Sequence, residues 1–210
     1  LSIACDRVPQ VGETLEGFGF ICNPGGKGAN QAVASSRLGA PTVMIAAVGN
    51  DSFGSGLLKG LCDSRVDCAR VRSLGDTTTG VAVIVRTHGD NRIILDPGAN
   101  HALTFDDVEP IMRDVLEPDD VFVCQLECSL DTTYSAIRLA HELGARVIFN
   151  PAPARVFPDD LWECIDLVCL NETECEIITG ILPSDDDPCR NALKVLKERG
   201  ASVAVLTLGF

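Results

Sequence analysis

Aromatic side chains are scarce. They make up 5% of the 210 residues, with one Trp and one Tyr. Any core must therefore be filled by Val, Ile, Leu and Ala. Basic residues are also few, 17 against 30 acidic, for a formal net charge of −13. So acidic a surface repels a phosphate backbone, which excludes a nucleic-acid platform. No run of about 18 apolar residues exists, so no membrane span is expected. No basic stretch leading into an apolar segment opens the chain, so no secretory leader is expected and the cytoplasm is the expected compartment. The Walker A pattern G-x-x-x-x-G-K-[ST] is missing. So is G-x-G-x-x-G after a first strand, which argues against a dinucleotide-dependent oxidoreductase. No Ser/His/Asp or Cys/His arrangement stands out. His88, His101 and His141 read as loop or surface residues rather than catalytic bases.

Cysteine, by contrast, is plentiful, with ten residues, none of them in a C-x-x-C pair. Most lie in apolar runs such as Val121-Phe122-Val123-Cys124. They read as reduced, small core hydrophobes in a reducing compartment, not as a disulfide framework or a zinc set.

The chain is 46% hydrophobic, and its length suits one globular α/β domain. Helical periodicity is expected over 29–39, 53–61, 130–143, 172–179 and 191–199, with Gly39, Gly144 and Gly200 as stops. Short apolar runs at 42–48, 121–126, 147–150, 165–170 and 203–208 read as buried strands. Strands alternating with helices across short loops predict β-α-β units and a mostly parallel sheet covered on both faces. A second texture lies at 12–22 and 80–99. There, 81–86 and 92–95 flank Thr87-His88-Gly89-Asp90-Asn91, the signature of a hairpin with a five-residue loop. With no helix to cover it, this hairpin is expected to form a small β-subdomain, a lid or a dimer contact. The acidic run Ser184–Pro188 is expected to be a solvated turn before a helix rather than a metal loop.

The strongest local signal is Asn23-Pro24-Gly25-Gly26-Lys27-Gly28-Ala29-Asn30-Gln31-Ala32. Its glycines let backbone N–H groups approach a polar ligand, and a helix follows directly. Lys27 and Asn30 stand where they can hydrogen-bond ligand hydroxyls. Read by itself, such a turn is equally a structural helix start. Likewise, Glu127 reads either as a ligand carboxylate or as a rim residue. Asn171 and Glu174 read either as ligand groups or as a helix cap and first-turn acid.

The segment Pro24–Ala32 resembles the first signature of the ribokinase-like (PfkB) sugar kinases. Val11-Gly12-Glu13-Thr14, Val48-Gly49-Asn50-Asp51-Ser52-Phe53-Gly54, Thr79-Gly80 and Asp96-Pro97-Gly98-Ala99-Asn100 resemble further family segments. Gln125-Leu126-Glu127, Asn150-Pro151-Ala152-Pro153-Ala154, Asn171-Glu172-Thr173-Glu174 and Thr207-Leu208-Gly209 follow in the family's order. The similarity covers essentially the whole chain. It is nearer to the ribokinase branch than to fructokinases or adenosine kinases.

The resemblance implies a three-layer α/β sandwich with a β-lid formed by 12–22 and 80–99. It implies ATP-dependent transfer of a phosphoryl group to a primary hydroxyl of a pentose, D-ribose to ribose 5-phosphate. Gly26, Lys27, Gly28, Ala29, Asn30 and Glu127 would bind the sugar. Asn171, Thr207 and Gly209 would serve the nucleotide, and Glu174 would order Mg²⁺. A K⁺ site and a homodimer formed through the lids are implied as well. The family's D-T-x-G-A-G-D segment, which carries the catalytic Asp, is absent, as is its N-terminal N-x-D pair. The base is therefore expected beyond Phe210. The 210 residues are expected to be a single incomplete kinase domain or, in the alternative, a non-catalytic relic.

Overall fold

The computed structural model describes residues 1–88 and 90–209. The chain divides into two compact units, Leu1–Ala102 and Leu103–Phe210. In chain order the first holds β1 (Ser2–Ala4), β2 (Phe18–Ile21), α1 (Lys27–Arg37), β3 (Ala46–Gly49), α2 (Ser52–Asp63), β4 (Val71–Leu74), β5 (Val81–Thr87), β6 (Asp90–Asp96) and α3 (Ala99–Ala102). A mixed four-stranded sheet runs in the order β2-β1-β5-β6, and β3 and β4 form a separate parallel pair. Between them α1 and α2 share a small core, with buried Ala32, Leu61 and Val66 packed by Val33 and Met44. The mixed sheet is poorly covered: every residue of β2 and β6 is exposed.

The second unit holds α4 (Phe105–Val115), β7 (Val121–Cys124), α5 (Leu130–Glu142), β8 (Arg146–Phe149), a 3-10 turn (Asp159–Cys164), β9 (Leu167–Asn171), α6 (Glu172–Thr179), α7 (Asp186–Glu198) and β10 (Val203–Thr207). Its four strands are all parallel, in the order β10-β9-β8-β7. Each strand therefore lies beside its neighbour in sequence, as β-α-β connections dictate. Val147, Phe149, Val168 and Leu170 from the two central strands are fully buried. Phe149 meets the edge of Phe157 at a ring-centroid distance of 5.3 Å, and Phe157 packs on Trp162 at 4.6 Å. The few aromatics are thus gathered in one place, while Val, Leu, Ile and Ala fill the rest.

Helices α1, α5 and α7 end two residues before Gly39, Gly144 and Gly200, as the sequence leads one to expect. Four expectations are corrected. The run 42–48 is regular only from Ala46, because β4 offers four partners; Val43 keeps a lone bridge to Asp67. The hairpin pairs as far as Thr87 with Asp90, so its strands nearly meet and the five-residue loop is not formed. A two-residue connection matches the strand twist better than a longer one. Of that loop, Gly89 lies outside the described residues. The acidic run is not a free turn, since Asp185 caps α7 and Asp186 and Asp187 form its first turn, where the helix dipole favours them. The cysteines are free, but they do not fill the core. Among them Cys175 is buried, Cys22 and Cys62 are exposed, and the others are half-buried.

Candidate functional site

The glycine-rich segment forms the start of α1. Gly26 is the N-cap and takes φ 96°, a left-handed conformation in which a Cβ is strained. Its carbonyl accepts the Asn30 N–H at 2.9 Å, closing the first turn. The cap has no side chain to satisfy the helix's leading N–H groups, and the first turn carries no acidic residue. The positive end of the helix dipole therefore meets neither a side-chain cap nor a first-turn carboxylate, which suits a polar ligand there. Gly25, Gly26 and Asn30 are exposed, and Lys27, Gly28 and Ala29 are half-buried. A cleft of about 460 Å³ between α1 and α2 is lined by Pro24, Gly25, Asn30, Val33 and Leu57, among others.

In the second unit the remaining candidates share one edge. Glu127 lies just past the end of β7, Asn150 just past β8, Asn171 at the end of β9 and Thr207 at the end of β10. These are the carboxyl ends of four adjacent parallel strands, where open α/β sheets hold ligands. Backbone bonds align the segments: Asn150 N–H donates to the Cys124 carbonyl at 3.0 Å, and Leu126 N–H to the Ala152 carbonyl at 3.0 Å. Leu126 is buried, and the neighbouring Glu127 is half-buried.

Asn171 and Glu174 form a reciprocal cap at the start of α6. Glu174 N–H donates to Asn171 Oδ1 at 2.8 Å, and Glu174 Oε2 accepts the Asn171 N–H at 3.0 Å. The same Oε2 accepts from Asn150 Nδ2 at 3.2 Å, and Asn150 also donates to the Cys169 carbonyl at 2.9 Å. Glu174 is buried, with 8% of its surface exposed. Thr207 pairs with Asn171 in the β10–β9 register, and its hydroxyl donates to the Leu170 carbonyl at 3.4 Å. Gly209 N–H donates to Glu172 Oε1 at 2.6 Å. The Glu172 carboxyl is held below the usual Glu range by its own N–H and by that of Gly209. Burial and the Glu127 charge push the Cys128 thiol up to about 11.

The candidates therefore form two groups. Gly26, Lys27, Gly28, Ala29 and Asn30 make one loop and helix start in the first unit. Glu127, Asn171, Glu174, Thr207 and Gly209 gather on one sheet edge in the second. Two groups were missed as site residues by sequence reading. Asn150 joins Glu174 to β9, a role that its position after a buried strand could have signalled. Glu172 holds the segment after β10. Among the described residues no set of three or more His, Cys, Asp or Glu could hold a metal ion. An all-protein cage is thus absent among them. Mg²⁺ instead keeps several waters and takes one or two carboxylates together with substrate phosphates, and the Glu174 carboxylate at the strand edge fits that requirement.

The sequence model of the pfkB family carbohydrate kinases matches residues 1–210. This chain belongs to the pfkB family. It is 38% identical over 205 residues to a ribokinase of Mus musculus, covering 97% of this chain and 63% of the relative. A ribokinase of Haemophilus influenzae is 36% identical, with 99% of this chain and 70% of the relative covered. A deoxyribokinase of Salmonella typhi is 35% identical, over 97% of this chain and 67% of the relative. The pfkB chain thus spans about two thirds of the length of these relatives. Its fold is ribokinase-like α/β. It superposes on an Arabidopsis thaliana ribokinase complexed with ribose and ATP with a TM-score of 0.86 at 28% identity, covering 99% of this chain and 68% of that one. The expected family and fold class are borne out.

Proposed function

We propose that this protein is an ATP-dependent sugar kinase that transfers the γ-phosphoryl group to the primary hydroxyl of D-ribose, giving ribose 5-phosphate. The observation that carries this reading is the 38% identity to a ribokinase across 97% of the chain. In the proposed assignment Gly26, Lys27, Gly28, Ala29 and Asn30, at the start of α1, hold the sugar hydroxyls. Glu127 accepts from them. A neutral polyol is held by such paired donors and acceptors rather than by net charge. Asn171, Thr207 and Gly209 receive the nucleotide at the carboxyl ends of β9 and β10.

Glu174 would hold Mg²⁺ through its waters, and Asn150 and the Asn171 N–H orient that carboxylate. When bound, Mg²⁺ neutralises charge on the transferred phosphoryl oxygens. The chain's own part is positioning, which supplies much of the barrier reduction in phosphoryl transfer. No catalytic base is assigned among the 210 residues. K⁺ as an activating ion, a homodimer formed through the mixed sheet acting as a lid, and residence in the cytoplasm complete the proposal. The exposed apolar side chains Phe18, Phe20, Ile93 and Leu95 of that sheet support its pairing with a second copy.

The 35% identity to a deoxyribokinase favours 2-deoxy-D-ribose as the competing substrate. A coupled ADP-release assay on the full-length gene product decides between them. It would use D-ribose, 2-deoxy-D-ribose, fructose, adenosine and no sugar. The highest kcat/KM is expected with D-ribose. Discrimination by hydroxyl-binding groups can reach about 10⁴-fold, because a missing hydroxyl leaves buried partners unpaired. Preference for deoxyribose would reassign the substrate, and ADP release independent of every sugar would overturn the kinase reading.

A further inference from the structure

Within the first unit the chain passes three times between the mixed sheet and the helical part. The crossings are residues 22–26 between β2 and α1, 75–80 between β4 and β5, and 97–98 between β6 and α3. The first crossing ends on Gly26, one of the residues proposed to bind the sugar. The other two are bound tightly to each other. Ala99 N–H, just past the third crossing, donates to the Thr78 carbonyl at 2.8 Å, and within the third crossing Gly98 N–H donates to Asp96 Oδ1 at 3.2 Å. Gly98 has φ 48°, and any Cβ there would collide with the Thr78 carbonyl oxygen.

Asp51 sits at the centre of this junction. As the N-cap of α2 it accepts the Gly54 N–H on Oδ1 at 2.8 Å. The same oxygen accepts the Thr79 hydroxyl at 2.7 Å, and Oδ2 accepts the Thr79 N–H at 2.8 Å. Thr79 is 2% exposed, and its hydroxyl oxygen also accepts the Gly49 N–H at 2.9 Å. One carboxylate therefore ties the end of β3, the head of α2 and the root of the hairpin. Through the packing of α2 on α1 it reaches the helix that bears the sugar-binding residues.

We propose that Asp51 is a positioning residue for sugar binding: by clamping Thr79 it fuses two of the three crossings into one rigid node, and so sets where Gly26, Lys27 and Asn30 stand relative to the lid. The remaining crossing, which contains Gly25 and Gly26, lies outside that node, and a Cβ on Gly25 would meet nothing within 4 Å. This inference rests on the kinase reading for its substrate. It predicts that weakening the clamp harms sugar binding and leaves ATP binding alone, because the nucleotide residues lie in the other unit.

The test uses the full-length gene product with Asp51→Asn, Thr79→Val and Thr79→Ser. Asp51→Asn still offers an oxygen to cap α2 but presents no acceptor to the Thr79 N–H. Thr79→Ser keeps every hydrogen bond. Charge-assisted bonds of this kind are the strong ones. The first two variants are expected to raise the ribose KM at least about tenfold with the ATP KM within about twofold, and Thr79→Ser to stay near wild type. Hydrogen exchange at the amides of 81–96 should quicken about tenfold in the same two variants, with β8 and β9 unchanged. Equal rises in both KM values, or unchanged exchange in the hairpin, would overturn the proposal. A wild-type protein inactive on every sugar would remove the kinase reading and with it the positioning role. The exchange measurement would then still report whether the clamp exists.

Discussion

Asn171 and Glu174 are bound to each other in both directions: the Asn171 N–H donates to the Glu174 carboxylate at 3.0 Å, the Glu174 N–H donates to Asn171 Oδ1 at 2.8 Å, and Asn150 Nδ2 donates to the same carboxylate at 3.2 Å. A helix cap and a proposed magnesium-ordering carboxylate are thus the same group. The two roles can be separated. Glu174→Gln retains an oxygen for the Asn171 N–H and should leave the thermal midpoint nearly unchanged. It should weaken apparent Mg²⁺ affinity in the kinase assay by about 10–100-fold, the usual cost of disturbing a metal's surroundings. Glu174→Ala leaves two donors without their acceptor and should cost about 1–3 kcal/mol of stability in urea unfolding. Equal Mg²⁺ dependence in wild type and Glu174→Gln would restrict Glu174 to capping.

At the sugar loop, Gly26→Ala puts a Cβ on a residue with φ 96°. The strain should cost about 1–3 kcal/mol. Lys27→Ala and Asn30→Ala introduce no such strain. In calorimetry on the full-length protein all three should weaken sugar binding more than ATP binding, with Gly26→Ala alone lowering the thermal midpoint. Equal loss of both affinities would count against the assignment.

Thiol reactivity should follow environment. Cys22 and Cys62 are exposed, whereas burial and the Glu127 charge raise the Cys128 thiol to about 11. Burial followed by the neighbouring Cys62 does the same to Cys68, also to about 11. The thiolate is the reactive form. Brief alkylation at neutral pH, mapped by mass spectrometry, should therefore label Cys22 ahead of Cys68 and Cys128. Early labelling of Cys128 would mean that the edge of the parallel sheet opens in solution.

Acid should loosen two anchors. The Thr79 N–H, then the Gly54 N–H and the Thr79 hydroxyl, hold the Asp51 carboxyl below its ordinary value of 3.8, and backbone N–H groups hold Glu172 below 4.5. A depressed carboxylate stabilises the fold above its unfolded-state value and loses that contribution as pH falls through the folded-state value. Stability should thus decline below about pH 4. Asp51→Asn should make the acid limb of the unfolding midpoint shallower. An identical acid limb in wild type and variant would show that Asp51 does not titrate low.

Core packing offers a control remote from the loop. Phe149 is fully buried and meets the edge of Phe157. Phe149→Ala should cost about 3–5 kcal/mol in urea unfolding, through lost burial and the cavity left behind. A cost below about 1 kcal/mol would mean that the site collapses around the smaller side chain.

Much of this protein is legible along the chain because the relevant physics is local. The stops at Gly39, Gly144 and Gly200 depend on near neighbours and lie where sequence places them, while β8 ends one residue before the expected Asn150 and α1 starts at Lys27, two residues before the expected 29. Helix α4 lies outside the segments expected to be helical; it carries Pro110 inside it, and Asp107 accepts both the Thr104 N–H and its hydroxyl at its start. The hairpin turn was misjudged because ladder length depends on cross-strand pairing, which Thr87 and Asp90 extend. The cysteines were misplaced because an apolar neighbourhood in sequence does not reveal which side of a strand faces the core.

Composition and periodicity pointed to an acidic α/β chain, and motif order to a resemblance to the pfkB family, which implied the candidate residues. Tertiary structure alone brought Glu127, Asn150, Asn171 and Thr207 to one sheet edge, because the parallel register aligns strand ends far apart in sequence. It alone joined Asp51 to Thr79 across 28 residues. Periodicity records which face of an element is buried. A hydrogen bond between two distant loops leaves no period to read, and only the folded chain shows it.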